Sequence, residues 1–266
     1  MRFDDAMKQL ASADDDMPTD ALRWCLINWD MVAPLLIDKL KRGADRDDIS
    51  DDDRNIALFS IFMMAEAREA RSFAPLCRLA RNSKRVIDIL SEDAVFDYLR
   101  QIFISTFDGD INRIIHLVRG DEVSDEVRCE ALDALTWLAA TGRVDRDKMV
   151  SWLRGLCLTL PFESPRDWLW SGWARSIALL GLEDMTPLVK AAFAEGRMDD
   201  IWIAPDRFDM LMNITCNDPE RMAGFAQMNI RPFADIIGEL SKWYCFSAKR
   251  KEDDRLDGDD GIESDT

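Results

Sequence analysis

Few side chains in this sequence have the type and spacing that catalysis or metal binding requires. The single histidine, His116, falls in the apolar helical run 114–118, without the second imidazole or matched base of a histidine site. We interpret it as a packed or surface residue. The six cysteines lie far apart and form no Cys-x-x-Cys pair, which argues against a zinc knuckle or a dense disulfide framework. We expect most of them to pack as small hydrophobes, and we predict no catalytic residue, metal ligand or cofactor.

One acidic pair could bind a hard cation. Asp108 and Asp110 flank Gly109 and present two carboxylates, the ligands that such cations prefer. The same tripeptide also describes a turn, in which the glycine takes an unusual dihedral and Asp110 caps the following helix. The turn is favoured because it explains both acids without a ligand.

Aromatic residues give a candidate for partner binding. Tryptophan is concentrated at positions 168, 170 and 173, and aromatic clusters are enriched in binding hot spots. Helical spacing places Trp170 and Trp173 on one stripe with Ile177, so these two are expected in the core. Trp168 lies off that stripe and is a candidate partner-binding residue, although a core or inter-repeat position is favoured because tryptophan buries a large area.

The other candidates for partner binding lie near the end of the chain. Asp235 and Glu239 are four residues apart, a spacing that forms an acidic face on a helix, and Trp243 and Tyr244 follow them. The same spacing also describes any solvated helix side. We predict that Asp235, Glu239 and Trp243, together with Trp168, contact a partner.

The charge balance of the 266-residue chain restricts what that partner is. The chain has 51 acids and 34 bases, a formal charge of -17, so its surface repels phosphate backbones and anionic lipid head groups. It contains no uncharged apolar stretch of about 18 residues to cross a membrane, and its first residues lack a secretory signal's apolar segment. We therefore predict a cytoplasmic protein whose partner is a protein, basic at the contact, and neither nucleic acid nor membrane.

Helices are the elements that must position these residues. Apolar residues recur with helical spacing between short breaks that contain glycine or acids. Ser50, Ser91 and Ser124 each precede acids, which is typical of helix starts. Glycines follow the ends of apolar stretches, where a left-handed residue often terminates a helix; they are Gly43, Gly120, Gly142, Gly181 and Gly196.

The helices recur as hairpins. In one hairpin, the first helix carries an apolar stripe, and a second helix follows from about Asp145. The stripe consists of Val127, Ala131, Leu135 and Leu138. Equivalent positions recur every 36 to 43 residues, near the period of about 40–47 residues of HEAT and armadillo arrays; they are Ala21, Ala57, Val95, Ala131 and Ala174. The pattern predicts an all-α, HEAT-like α-solenoid of roughly five to six helix pairs, capped by a less regular region over 205–248.

The predicted domain organisation is simple. Residues 1–248 form a single helical-repeat domain, and residues 249–266 form a disordered acidic tail with almost no apolar content.

A family resemblance is carried by four stretches, residues 107–110, 127–135, 142–144 and a closing stretch over 233–246. These stretches resemble a bacterial family of unknown function, domain-of-unknown-function family 1186. The resemblance covers roughly residues 20–246, and it implies a HEAT-like helical fold without an established activity. Some members carry a SEC-C zinc knuckle at the carboxy terminus. No cysteine-dense motif follows Cys245 here, so zinc-knuckle functions are not carried over.

The sequence favours an interaction scaffold over an enzyme, because a solenoid offers a long binding surface and the acid excess attracts basic segments. The alternative is a carboxylate-dependent hydrolase or another enzyme on a HEAT-like fold, since paired carboxylates need no histidine. An enzyme is expected to have a pocket with acids of perturbed pKa, and a scaffold an open groove. The identity of the partner and the oligomeric state are left open.

Overall fold

The computed structural model describes residues 1–13, 16–44, 49–160, 168–198 and 203–247, and all regular structure in these ranges is helical. This confirms the predicted all-α class. The α-helices are α1 (Phe3–Ala11), α2 (Thr19–Ile27), α3 (Trp29–Gly43), α4 (Asp51–Glu66), α5 (Phe73–Ala80), α6 (Ser83–Leu90), α7 (Glu92–Thr106), α8 (Ile111–Arg119), α9 (Asp125–Ala140), α10 (Arg146–Leu156), α11 (Trp168–Leu179), α12 (Thr186–Ala194), α13 (Pro205–Asn217), α14 (Ala223–Gln227) and α15 (Ile236–Leu240). Short 3-10 turns occur at Ala70–Ser72, Glu183–Met185 and Tyr244–Phe246. The predicted acidic tail, 249–266, lies outside the described residues.

Contacts divide the chain into two compact units. Unit 1 combines residues 1–67 with the end of the chain from residue 234, and unit 2 comprises residues 68–233. The boundary between the units, at residues 233 and 234, falls within the region 205–248 that the sequence predicts as a cap. Among the described helices, none is both long and apolar enough to cross a bilayer.

Unit 1 is built around α4. Helices α1, α2, α3 and α15 pack on α4, which is why it is buried on almost every side from Phe59 to Ala65. The chain end is tied to this helix by polar and aromatic contacts. The amide of Ile236 donates to Oε2 of Glu66 at 2.6 Å, and the ring of Phe246 lies 6.2 Å from that of Phe59.

Unit 2 is a layered stack of helices. Helix α7 packs on α9, α9 on α11, and α11 on α13, while α8 and α10 also contact α9. The predicted repeat markers Val95, Ala131 and Ala174 fall on α7, α9 and α11, one layer apart. Sequential packing of α7, α9, α11 and α13 is the arrangement expected of helical repeats.

The predicted helix starts are correct in position. Ser50 accepts a hydrogen bond from the amide of Asp53 at 3.2 Å, and Ser91 accepts one from Ala94 at 3.3 Å. Ser124 precedes α9 as predicted, but its hydroxyl caps no amide of that helix. Instead, its own backbone amide donates to the Ser83 hydroxyl at 2.7 Å, a partner 41 residues away that the sequence pattern does not reveal.

The predicted helix-ending glycines fall into two groups. Gly142, Gly181 and Gly196 have φ of +73°, +63° and +69°, so the left-handed conformation is confirmed there. The prediction is wrong for Gly43, which is the last residue of α3 without a positive φ, and for Gly120, whose φ is -72°.

Candidate functional site

The two predicted partner-binding acids lie in the closing segment of unit 1, residues 235–246, but they do not form a helical acidic face. Asp235 is the N-cap of α15, with a left-handed φ of +61°, and its exposed carboxylate accepts a hydrogen bond from the Gly238 amide at 2.9 Å. Glu239 lies one turn into α15, and Nζ of Lys242 approaches its carboxylate at 3.0 Å. One acid is therefore a cap that faces solvent, and the other is paired with a lysine.

The aromatic residues of the closing segment divide between packing and exposure. Trp243 lies edge-on against Phe62 of α4, with ring centroids 5.8 Å apart, and is half-buried. The next residue, Tyr244, leaves 58% of its surface exposed. The bond between Ile236 and Glu66 fixes the backbone that carries these rings. Unit 1 therefore presents Tyr244 and Asp235 at its surface on a firmly held segment.

The remaining predicted contact residue, Trp168, lies in unit 2. It begins α11 and packs against Phe96 of α7, with ring centroids 5.4 Å apart, so it is half-buried between repeats. Trp170 and Trp173 are fully packed, as predicted, and Nε1 of Trp173 donates to the carbonyl of Leu153 at 2.9 Å. Trp168 therefore belongs to a different unit from the closing segment.

A buried charged cluster on α9 was not apparent from the sequence. Nη1 of Arg100 on α7 donates to both carboxylate oxygens of Glu130, at 3.0 and 2.9 Å. Arg175 on α11 forms a two-point pair with Asp133, with both N···O distances at 2.9 Å. Glu130 and Asp133 are only 4% and 2% exposed. The cluster joins three consecutive layers of unit 2.

Burial changes the titration of this cluster. Removal from water raises the pKa of Glu130 to about 8, with the positive charge of Arg100 opposing the shift and the nearby Asp133 adding to it. Burial likewise raises the pKa of the neighbouring Cys129 thiol well above its usual value. A carboxyl that titrates near neutral pH is suited to general acid–base chemistry. Here, however, each carboxylate is occupied by an arginine, so the observed arrangement connects helices.

The Asp108, Gly109 and Asp110 stretch forms the predicted turn and cap. Gly109 has a φ of +98°, Asp108 accepts from the Asp110 amide at 2.9 Å, and Asp110 accepts from the Asn112 amide at 3.1 Å. Arg113 lies beside both carboxylates. Within the described part of the chain, no three side chains of His, Cys, Asp or Glu converge as metal ligands would.

The histidine and the cysteines occupy different environments. His116 lies on the exposed side of α8. The prediction that the cysteines pack in the core holds for three of the six, Cys25, Cys77 and Cys129, which are buried. The other three, Cys157, Cys216 and Cys245, are half-buried.

Comparison with known proteins agrees with the resemblance seen in the sequence. The model of the family described as "Protein of unknown function (DUF1186)" matches residues 1–247. The chain belongs to this family. Proteins similar to this DUF1186 member include two described as "Uncharacterized protein", from Chlamydia muridarum and Chlamydia trachomatis. Each is 20% identical over 245 residues, which cover 91% of this chain and 97% and 96% of the respective relatives. No solved structure matches the chain.

One stretch that carries the DUF1186 resemblance has a structural role. Arg143, in the Gly-Arg-Val stretch 142–144, donates from Nη1 to the carbonyl of Ile104 at 2.7 Å and from Nη2 to that of Phe107 at 3.1 Å. Its guanidinium also lies 5.4 Å from the centroid of the Phe107 ring. Arg143, which belongs to the following repeat, thus donates hydrogen bonds to carbonyls at the end of α7.

Proposed function

We propose that this DUF1186 protein is an interaction scaffold that binds a basic segment of a partner protein through the closing segment of unit 1. The observation that carries the proposal is that one segment, residues 235–246, exposes both the ring of Tyr244 and the carboxylate of Asp235, on a backbone tied to Glu66. Tyrosine is enriched in interface cores, where it provides a large contact area with a polar tip. The formal charge of -17 favours a basic partner, because opposite potentials steer association.

Two further observations support the wider proposal of a cytoplasmic, HEAT-type protein. All six cysteines lie in described ranges and are free thiols, the usual state in a reducing compartment. The layer order α7, α9, α11 and α13 is that of stacked helix pairs, an architecture that presents extended binding surfaces.

The experiment uses matched baits in a lysate of the native host. Tyr244→Ala removes the exposed ring. Asp235→Asn removes the charge while keeping a side-chain oxygen for the cap and a residue type that tolerates a left-handed φ. Asp147→Asn, at an exposed acid of α10, makes the same charge change in unit 2. The proposal expects a basic protein that the wild type and Asp147→Asn capture and that the two closing-segment variants lose.

Association kinetics provide the second measurement. The rate constant for the captured protein should fall as salt rises, since electrostatic steering is screened over about 8 Å at physiological ionic strength. A partner that binds all four proteins equally, at a rate that does not depend on salt, would contradict both the proposed surface and its mechanism.

One observation favours the alternative, a carboxylate-dependent hydrolase. The pKa of Glu130 lies near 8 beside a second carboxylate, Asp133, one helical turn away. Any substrate would have to displace Arg100 and Arg175 from these groups. Hydrolysis of chromogenic esters, phosphates or glycosides by the wild type, abolished in a folded Glu130→Gln variant, would establish this alternative and displace the scaffold proposal.

A further inference from the structure

An apolar stripe is exposed along α2 and α3 of unit 1. Ile27, Met31 and Leu35 follow one another at intervals of four residues and are 83%, 52% and 47% exposed. Large apolar side chains grouped in this way mark interaction surfaces, whereas single exposed ones need no explanation. We call these three residues the α2–α3 stripe.

The stripe spans the junction at which α2 ends and α3 begins. Asn28 is the only residue between the two helices, and its φ of -102° and ψ of 30° interrupt the helical backbone. Its amide donates to the carbonyl of Trp24 at 3.0 Å, and its carbonyl accepts from the amide of Val32 at 3.2 Å. The opposite side of α3, including Leu36 and Leu40, is already packed in the core. Rotation of the helix therefore cannot hide the stripe.

Exposed charges flank the stripe in a self-complementary order. Arg23 and Asp38 lie eight residues before and seven residues after Met31, and Asp20 and Arg42 each lie eleven residues from it. Each pair therefore consists of one basic and one acidic residue, at nearly equal sequence distances on either side of Met31. Nη2 of Arg42 also lies 2.6 Å from Oδ2 of Asp38 on its own helix. When two copies of the stripe meet in opposite directions, this order brings unlike charges together.

We propose that unit 1 pairs with unit 1 of a second copy of this chain through the α2–α3 stripe, antiparallel about a two-fold axis near Met31. In this arrangement Ile27 of each copy packs against Leu35 of the other, and Arg23 of each copy faces Asp38 of the other. A two-fold interface uses the same patch on both subunits, so it must be self-complementary, as this stripe is. The dimer does not involve the closing segment and is independent of the proposed partner.

The first test is the mass of the full-length chain, measured by sedimentation equilibrium over a range of concentrations. The wild type should approach twice the 30.5 kDa chain mass as concentration rises. Met31→Glu should remain at the single-chain mass, because it places two carboxylates at the axis. Leu188→Glu makes the same kind of change at a 44% exposed position on α12, and it should dimerise like the wild type. Circular dichroism melting checks that the variants are folded.

The second test addresses the antiparallel arrangement. Arg23→Asp places acids at both ends of the stripe, and Asp38→Arg places bases at both ends, so each variant alone should dimerise at least about tenfold more weakly. When the two variants are mixed, opposite charges face each other again, and heterodimers should form. The proposal is overturned if the wild type stays monomeric, if Met31→Glu dimerises like the wild type, or if the mixture shows no recovery.

Discussion

Single arginines close helix ends in unit 2. Besides Arg143, Arg146 donates from Nη2 to the carbonyl of Leu180 at 2.7 Å, and Arg128 donates from Nε to that of Val118 at 3.0 Å. Carbonyls at the end of a helix lack partners within the helix, and a cation there also suits the helix dipole. Charged residues near the breaks between helices therefore stabilise the fold.

The contribution of Arg143 can be measured directly. Arg143→Ala should lower the free energy of unfolding by about 1–2 kcal/mol, because two carbonyls of α7 lose a charged donor and the Phe107 ring loses its stacked guanidinium. Urea denaturation provides the measurement. Lys148→Ala, at a largely exposed side chain, should change stability by less than about 0.5 kcal/mol. Equal effects of the two changes would mean that Arg143 does not cap α7.

The pair of Asp133 and Arg175 gives a second prediction at this scale. Asp133→Leu alone should destabilise the protein by about 3–5 kcal/mol, because Arg175 is left buried without its carboxylate. Adding Arg175→Met should recover much of this loss, since both charges are then gone. Urea unfolding of the two single variants and the double variant forms the test. The same cycle on the exposed pair Lys84 and Asp88 should give a coupling below about 1 kcal/mol.

Glu130 makes stability depend on pH. A carboxyl in the unfolded chain loses its proton near pH 4.3, whereas the pKa of folded Glu130 is about 8. Between these values the folded state binds the additional proton, so the free energy of unfolding contributed by this group falls as pH rises. Glu130→Gln should remove this fall.

Other shifted groups act outside this range of pH. Burial raises the pKa of Cys25 to about 11, which lowers stability only above about pH 9. The backbone amides of Ala223 and Met222 lower the pKa of Asp218, which affects stability only below about pH 4. Urea unfolding of the wild type and Glu130→Gln between pH 5 and pH 8 therefore isolates Glu130. Parallel pH profiles for the two proteins would show that Glu130 does not carry the additional proton.

At the scale of elements, one serine on α7 joins both ends of unit 2. The hydroxyl of Ser105 accepts a hydrogen bond from the Phe233 amide at 2.8 Å, 128 residues along the chain, and one from the Arg68 guanidinium. The same hydroxyl donates to the carbonyl of Gln101 at 2.7 Å. The first and last residues of unit 2 therefore meet at a single buried group.

Removing the Ser105 hydroxyl should weaken the attachment of the end of unit 2 to α7. Ser105→Ala leaves the buried Phe233 amide without an acceptor, which should cost about 1–3 kcal/mol and speed hydrogen exchange at that amide roughly tenfold or more. Ser60→Ala on α4 is the matched control, because that buried hydroxyl bonds the carbonyl of Ile56 in its own helix. Exchange at Phe233 that is equally slow in both variants would contradict the prediction.

Local signals in the sequence explain which elements were predictable. The helix starts at Ser50 and Ser91 and the core positions of Trp170 and Trp173 follow from capping and periodicity, which depend on residues within a few positions of each other. The sequence left open whether Trp168 binds a partner or is packed within the fold, because its contact with α7 spans two layers.

Features set by distant partners were not predictable. The left-handed φ of Asp235 accompanies a neighbouring bond to Glu66, 170 residues away, so helical spacing gave the wrong geometry for the acidic face. The carboxyl groups of Glu130 and Asp133 on a helix buried all round are tolerated because arginines from α7 and α11 provide hydrogen bonds to them. The spacing of apolar residues identifies the buried stripe of a helix. It does not identify the distant residue that pairs with an acid on the other side of that helix.

At the scale of the whole molecule, the formal charge of -17 affects the two proposed associations in opposite ways. A basic partner is attracted to the chain, so its association should weaken with salt. Two copies of the chain repel each other, and this repulsion acts over a Debye length of about 30 Å at 0.01 M salt but only about 8 Å at 0.15 M. Surface pairs such as Arg23 with Asp38 contribute at most about 1 kcal/mol each, so repulsion should dominate the salt dependence of the dimer at low salt.

The terminal residues 251–266 allow this balance to be tested. They contain eight acids and two bases and almost no apolar side chain, so removing them should leave helicity and melting temperature nearly unchanged. Their removal also lowers the repulsion between copies. The truncated chain should therefore dimerise more tightly than the full chain at 0.01 M salt, and the two should converge at 0.15 M. Sedimentation equilibrium of both chains at the two salt concentrations provides the measurement. A loss of several degrees in melting temperature would show that these residues dock on the folded body, and a dimer that weakens from 0.01 to 0.15 M salt would show that local ion pairs outweigh the net charge.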